Sequence, residues 1–297
     1  VPSGEAAKRP EVVSELWRVM AKVGIKPNNL LIVLGGSATL DLGGFVASTY
    51  QTGIDCVYLP TTLRAMIDTP TTGRVRINLP EGANLVGNLL QPRFVAADLN
   101  TLASLAEEQW ASGLTAIARA ALVAGQKDWQ WLAANLGKLR DHDLVTVQAA
   151  IVKAVTAQAT LIANDEFGLS NNHLLDFGVS FAEALQALNN SIPYGIALAE
   201  GTRFASHLAV EAIGAPRAFV ADLETLLSAL GLPALSVEYT TDMSADLLFD
   251  CLQAKQNYGQ GIQFVLVKSP GNLVYQAVDP DLVKIYLIYW EQARRAL

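Results

Sequence analysis

Cysteine and histidine are scarce in this chain of 297 residues, with two of the first and three of the second. Cys56 and Cys251 cannot build a disulfide framework and suit a reducing compartment. Neither stands in metal-ligand spacing, and His142, His173 and His207 do not cluster. Basic residues are outnumbered, 21 Lys and Arg against 28 Asp and Glu, for a net charge of -7. They are also scattered, which excludes the basic stripe that nucleic acid requires. No uninterrupted apolar run approaches the roughly 18 residues needed to span a bilayer, and Val1-Pro2-Ser3-Gly4 does not read as a signal peptide. The expectation is a cytoplasmic protein with neither membrane nor nucleic-acid partner. Charged residues make up only 16% of the chain and hydrophobic ones 51%, with a mean hydropathy of +0.28. That surplus has to be buried in helices, in an oligomer interface or in an apolar pocket.

The first third alternates helix and strand. Val12, Leu16, Val19, Met20 and Val23 form a helical stripe over Glu11–Val23 that Gly24 ends. Leu30–Leu34 reads as a buried strand, Leu42–Tyr50 as a helix, Cys56–Leu59 as a second strand and Phe94–Asp98 as a third. The pattern predicts a nucleotide-binding-like, doubly wound parallel α/β domain over residues 1–98. Residues 99–297 read as a helical domain, with segments Leu102–Ala124, Trp129–Leu139, Leu144–Ala163, His173–Leu188, Ile196–Ile213 and Phe219–Leu230. A strand pair at 261–267 and Asn272–Val278 and a last helix, Pro280–Ala296, complete it.

Three motifs carry a resemblance. The run Leu31–Phe45 holds Gly35-Gly36-Ser37-Ala38-Thr39-Leu40-Asp41; Leu59-Pro60-Thr61-Thr62-Leu63 follows it, and Gly4-Glu5-Ala6-Ala7-Lys8 precedes it. Together they resemble dehydroquinate synthase and its sugar phosphate cyclase relatives. The resemblance implies an α/β domain followed by an all-helical one, a site in the cleft between them, NAD, a divalent metal and an alcohol-oxidising cyclisation. It also implies that the first strands of the relatives' nucleotide domain have no counterpart here. Gly35, Gly36, Asp41, Thr61, Thr62, Glu5 and Lys8 match the nucleotide-contacting pattern. Leu40, however, replaces the glycine that lets the backbone approach the pyrophosphate. The expectation is therefore a turn retained as a remnant, with NAD binding as the alternative and no cofactor required.

At the positions where the family holds its metal with a glutamate and two histidines, this chain has Ala116, Val179 and Tyr194. No metal site is expected. Family lysines correspond to Arg74, Arg119, Ala83 and Gln158, an arginine to Asn172, an asparagine to Asp176 and a histidine to Glu183; Asp68, Asn78, Asn84 and Lys255 are retained. The replacements make the site less polar, which points to an apolar ligand carrying a carbonyl or carboxylate. Arg74 and Arg119 would grip its oxygens, beside Asp68, Asn78, Ala116, Val179 and Ile196. Tyr194, Glu183 and Asp176 are the candidate proton donors and acceptors. A core tyrosine, structural carboxylates and an ion-paired arginine are the bland alternatives. The expected function is a metal-free, cofactor-independent cyclase or lyase of specialised metabolism. A non-catalytic paralogue serving as subunit or regulator of an active cyclase is the alternative, and true 3-dehydroquinate synthase activity the third reading. The expected partners are a small molecule and a second copy of the chain in a dimer, or a related subunit.

Overall fold

The computed structural model describes residues 1–163, 172–240, 243–254 and 261–295, with the Asn172 and Val237 side chains left out. Lys255, the Asn172 side chain and Ala296, the expected end of the last helix, lie outside the described residues. The chain divides into two compact units, Val1–Gly113 and Leu114–Leu297.

Unit 1 begins with a short 3-10 turn, Gly4–Lys8, and helix α1, Pro10–Val23. Pro10 opens α1 where its missing N–H costs nothing. Gly24, at φ 76°, ends it by adopting the left-handed conformation. Strand β1 (Leu30–Gly35), helix α2 (Ser37–Thr49) and strand β2 (Asp55–Pro60) follow, then helices α3 (Leu63–Ile67) and α4 (Thr69–Thr72). Strands β3 (Arg74–Leu79) and β4 (Gly82–Leu89) form an antiparallel hairpin that the sequence pattern did not announce. The expected third strand shrinks to β5, Phe94–Val95, which pairs with β2.

The sheet order is β1-β2-β5, with both pairings parallel. One face is buried through Val33, Cys56 and Tyr58. Helix α2 lies directly on it because it presents glycines. A Cβ on Gly43 would sit 2.5 Å from a Val33 methyl, and one on Gly44 only 2.0 Å from the Tyr58 hydroxyl. The other face leaves Leu30, Ile32, Leu34 and Phe94 more than half exposed. That is unusual, since parallel sheets ordinarily bury both faces.

Helix α5 (Glu107–Ala124) straddles the division between the units. The single helix expected over Leu102–Ala124 is two pieces, because Leu105 is extended between a 3-10 turn, Leu99–Ser104, and α5. Unit 2 continues with α6 (Gln126–Arg140), α7 (Leu144–Ala163), a 3-10 turn at Asn172–Asp176, α8 (Val179–Leu188), α9 (Tyr194–Ile213), α10 (Arg217–Ala229) and α11 (Ala245–Ala254). The expected His173–Leu188 helix breaks at Gly178, whose φ of 80° interrupts it. Strands β6 (Ile262–Ser269) and β7 (Asn272–Val278) form the anticipated antiparallel pair, and α12 (Pro280–Arg295) follows. Helix α7 is long and apolar enough to cross a membrane by length and composition, with a window of mean hydropathy 1.4 that is 33% buried. It nonetheless carries Lys153, paired with Asp128 at 2.7 Å. The core joins α8, α9, α11, both strands and α12, with Phe181 stacked on Phe204 at 4.1 Å and edge-on to Trp290 at 5.3 Å.

Candidate functional site

In unit 1 the glycine corner is built as a strand-turn-helix. Gly35 sits at φ 154°, where a Cβ would fall 2.8 Å from that of Thr39. Its carbonyl accepts from the Thr61 N–H at 3.0 Å, and Thr62 caps α3 by accepting from the Ala65 N–H at 3.2 Å. Gly36 is the N-cap of α2 and offers no side-chain cap. The first amides of α2 therefore lack helical acceptors, as at any helix start. Beside them, the Ser37 hydroxyl is buried without a hydrogen-bond partner among the described residues. An anion-binding helix start with an orphaned buried hydroxyl fits a nucleotide pyrophosphate. Leu40 does not obstruct it, because that side chain is fully buried in the core of unit 1.

A polar network supports the corner. The Lys8 ammonium, only 3% exposed, donates to Asp41 at 2.8 Å and to Asn84 at 2.6 Å, and lies 3.5 Å from Glu5. Burial pushes the Asp41 carboxyl up, against the pull of Lys8. Asn78 donates to Glu5 at 3.0 Å and accepts from the Asn84 N–H at 2.9 Å. Asn84 itself holds a positive φ of 60°. Residues assigned separately to nucleotide (Glu5, Lys8, Asp41) and to substrate (Asn78) are thus one assembly tying the first turn, α2 and the β3–β4 hairpin together. Asp68 is paired with Arg64 at 3.5 Å. Arg74 opens β3, its N–H donating to Thr72.

In unit 2, four elements converge on the remaining candidates. Thr115, next to the fully buried Ala116, donates to the Gly195 carbonyl at 3.2 Å, between Tyr194 and Ile196. Arg119, buried, donates to the Leu175 carbonyl beside Asp176. Gly178 and Gly201 touch so closely that a Cβ on Gly201 would lie 2.0 Å from the Gly178 oxygen, which presses the start of α8 at Val179 against α9. Glu183 lies one turn further along α8, partly buried. Among the described residues no group of three or more His, Cys, Asp or Glu side chains could hold a metal ion. Ala116, Val179 and Tyr194 supply no carboxylate or imidazole, so the described residues do not fit a three-ligand metal.

Two features of unit 2 escaped the sequence reading. His173 lies 3.9 Å from Asp176 and stacks on Tyr275 at 4.5 Å; the three-residue spacing of His173 and Asp176 was the only local signal. Glu200, with no exposed surface, accepts from the Trp290 indole at 2.5 Å, the Arg294 guanidinium at 2.8 Å and the Leu235 N–H at 3.1 Å. Arg203 packs alongside, reaching Glu224 at 3.0 Å, which His207 also meets at 3.0 Å.

The model of the 3-dehydroquinate synthase N-terminal domain matches residues 1–112, and that of the C-terminal domain residues 113–255. The 3-dehydroquinate synthase of Caulobacter vibrioides is 30% identical over 298 residues, covering 97% of this chain and 80% of that protein. That of Mycobacterium leprae is 32% identical over 287 residues, covering 95% and 78%. Among solved structures, 2-deoxy-scyllo-inosose synthase complexed with carbaglucose-6-phosphate, NAD+ and Co2+ shares the fold at TM-score 0.86 and 21% identity, over 97% of this chain and 81% of that one. The 2-epi-5-epi-valiolone synthase of Streptomyces hygroscopicus subsp. jinggangensis, with NAD+ and Zn2+ bound, does so at 0.82 and 22%, over 99% and 82%.

These findings correct three expectations. A metal-free cyclase of specialised metabolism, with a non-catalytic subunit as its alternative, gives way to the reading ranked third, because the similar curated proteins are 3-dehydroquinate synthases. The absence of a cofactor is overturned by the NAD+ and metal held in proteins of this fold. For NAD the physical reason is Leu40, which turns into the core instead of onto the glycine corner. Cofactor-independence falls with it. Matched by both domain models, and 30% identical to a synthase across nearly its whole length, the chain belongs to the 3-dehydroquinate synthase family of enzymes.

Proposed function

We propose that the chain carries out the reaction of 3-dehydroquinate synthase in the cytoplasm, with NAD on the glycine corner of unit 1. The observation that carries this reading is the corner itself: an uncapped start of α2, the buried Ser37 hydroxyl and a core-facing Leu40. Its support is the run of synthases similar to the chain over most of its length. Bound NAD would supply a hydride acceptor for a substrate alcohol. The α2 amides and Ser37 would hold its pyrophosphate, while Lys8 and Asp41 keep α2 aligned with the hairpin. Arg74 would meet the charged oxygens of the substrate, with Asp68 and Asn78 as further polar groups of unit 1. In unit 2, Arg119 fixes the Leu175 carbonyl, and Tyr194, Glu183 and Asp176 carry protons beside the apolar Ala116, Val179 and Ile196.

The test is turnover of the phosphorylated heptulosonate substrate by the purified chain with NAD+ and Zn2+ or Co2+ supplied, alongside calorimetric titration with NAD+. Turnover with NAD+ binding is the expected result. Replacing Lys8 by Met should weaken NAD+ at least tenfold, about 1.4 kcal/mol. Neither binding nor turnover in the wild type would overturn the reading. We also propose that the partner is a second copy of the chain, seated on the exposed Leu30, Ile32 and Leu34 row of the sheet face, since a contiguous exposed apolar patch marks an interaction surface.

A further inference from the structure

We propose that His173, stacked on Tyr275 beside the Asp176 carboxylate, is a proton-transfer residue of unit 2, an assignment that rests on the enzyme reading above. The imidazole Nδ1 faces the Asp176 carboxylate at 3.9 Å. The ring lies nearly parallel to that of Tyr275, 13° between planes at 4.5 Å, which fixes its orientation. At that separation the carboxylate is an ionic neighbour beyond hydrogen-bond reach, and Nε2, on the other side of the ring, is the working atom. The pair is neither sealed nor fully solvated: the His173 side chain is 37% exposed and that of Asp176 35%. Protons and a ligand can therefore both reach it.

The surroundings keep the pair in place. Tyr275 reaches it from β7, and its hydroxyl is pushed up by burial and by the Asp176 charge, so it stays a neutral phenol. Arg119, from α5, clamps the Leu175 carbonyl within the same turn. His207 makes a useful contrast, because its Nε2 is already bonded to Glu224 at 3.0 Å. The step moves one proton. Nε2 takes it from a ligand hydroxyl as the O–H bond breaks, leaving an alkoxide and an imidazolium held by Asp176. The proton returns when the O–H bond re-forms, so no oxidant or reductant is consumed.

Diethyl pyrocarbonate labels neutral imidazoles, and the chain's three histidines can be followed separately by peptide mass mapping. His173 should label faster than His207, faster still in Asp176→Asn, which removes the charge that favours the imidazolium, and slower when the phosphorylated heptulosonate is present. His173→Ala, folded by circular dichroism, should lose turnover by about a hundredfold, typical of a lost acid–base group, and regain part of it with added imidazole. A folded His173→Ala that turns over like the wild type, or that imidazole fails to rescue, overturns the proposal. So does an Asp176→Asn change that leaves His173 labelling unaltered. Absent turnover in the wild type would instead remove the 3-dehydroquinate reading, and the labelling and its protection by ligand would then decide the pair by themselves.

Discussion

At the scale of single residues, two glycines and a leucine decide how the nucleotide end of this chain is read. Gly44 lets α2 lie against Tyr58 and Val75, where a Cβ would meet their atoms at 2.0 and 2.5 Å. Gly44→Ala is expected to cost about 1–3 kcal/mol by overpacking. Tyr58→Phe should recover part of that loss, since it deletes the hydroxyl that the new methyl would strike. A double-mutant cycle in urea checks the coupling; strictly additive losses would refute it. Leu40 is a case where the sequence already held the answer. Positions 40, 43, 44 and 47 follow the helical spacing i, i+3, i+4, i+7, and all four are buried. Comparing Leu40 with the family glycine obscured a periodicity that places it on the core face.

At the scale of elements, α9 and α12 are joined by the buried carboxylate of Glu200. Glu200→Ala would strand the Trp290 indole, the Leu235 N–H and two guanidiniums, so a loss of about 3–5 kcal/mol is expected. Thermal melts of the folded variant check it. Glu224 gives a pH signature. Burial raises its carboxyl, but the His207 bond and Arg203 outweigh this and hold it below its ordinary 4.5. A depressed carboxyl stabilises the fold above its unfolded value and loses that contribution as pH falls through the folded one. Stability measured by urea midpoints should therefore drop below pH 4.5. The drop should be smaller in Glu224→Gln, and an unchanged pH slope would contradict the assignment. Helix and strand types were legible here from apolar spacing. The breaks at Leu105 and Gly178 were not, because an extended residue or a left-handed glycine inside an Ala/Leu-rich run leaves the periodicity intact on both sides.

At the scale of the whole molecule, a three-stranded parallel sheet buries one face and exposes the other. Leu30–Leu34 is uniformly apolar in sequence, so pattern alone cannot say which alternate residues face the core. The structure assigns Val33 inward and Leu30, Ile32 and Leu34 outward. Sedimentation velocity should show self-association of the wild type that Ile32→Glu with Leu34→Glu reduces. A wild type that stays monomeric at micromolar concentration would contradict a second copy as the partner.

The amino-acid sequence by itself determined the parallel α/β beginning, the helical remainder, the late hairpin and the family, because each is written in local spacing and contiguous motifs. Tertiary structure alone decided that Lys8 joins Asp41 to Asn84, that Glu200 gathers donors from as far as 94 residues away, and that His173 meets Tyr275. The reason is physical. Burial of a charge depends on partners that the fold delivers from distant positions, and a polar residue read alone shows only that it will need them.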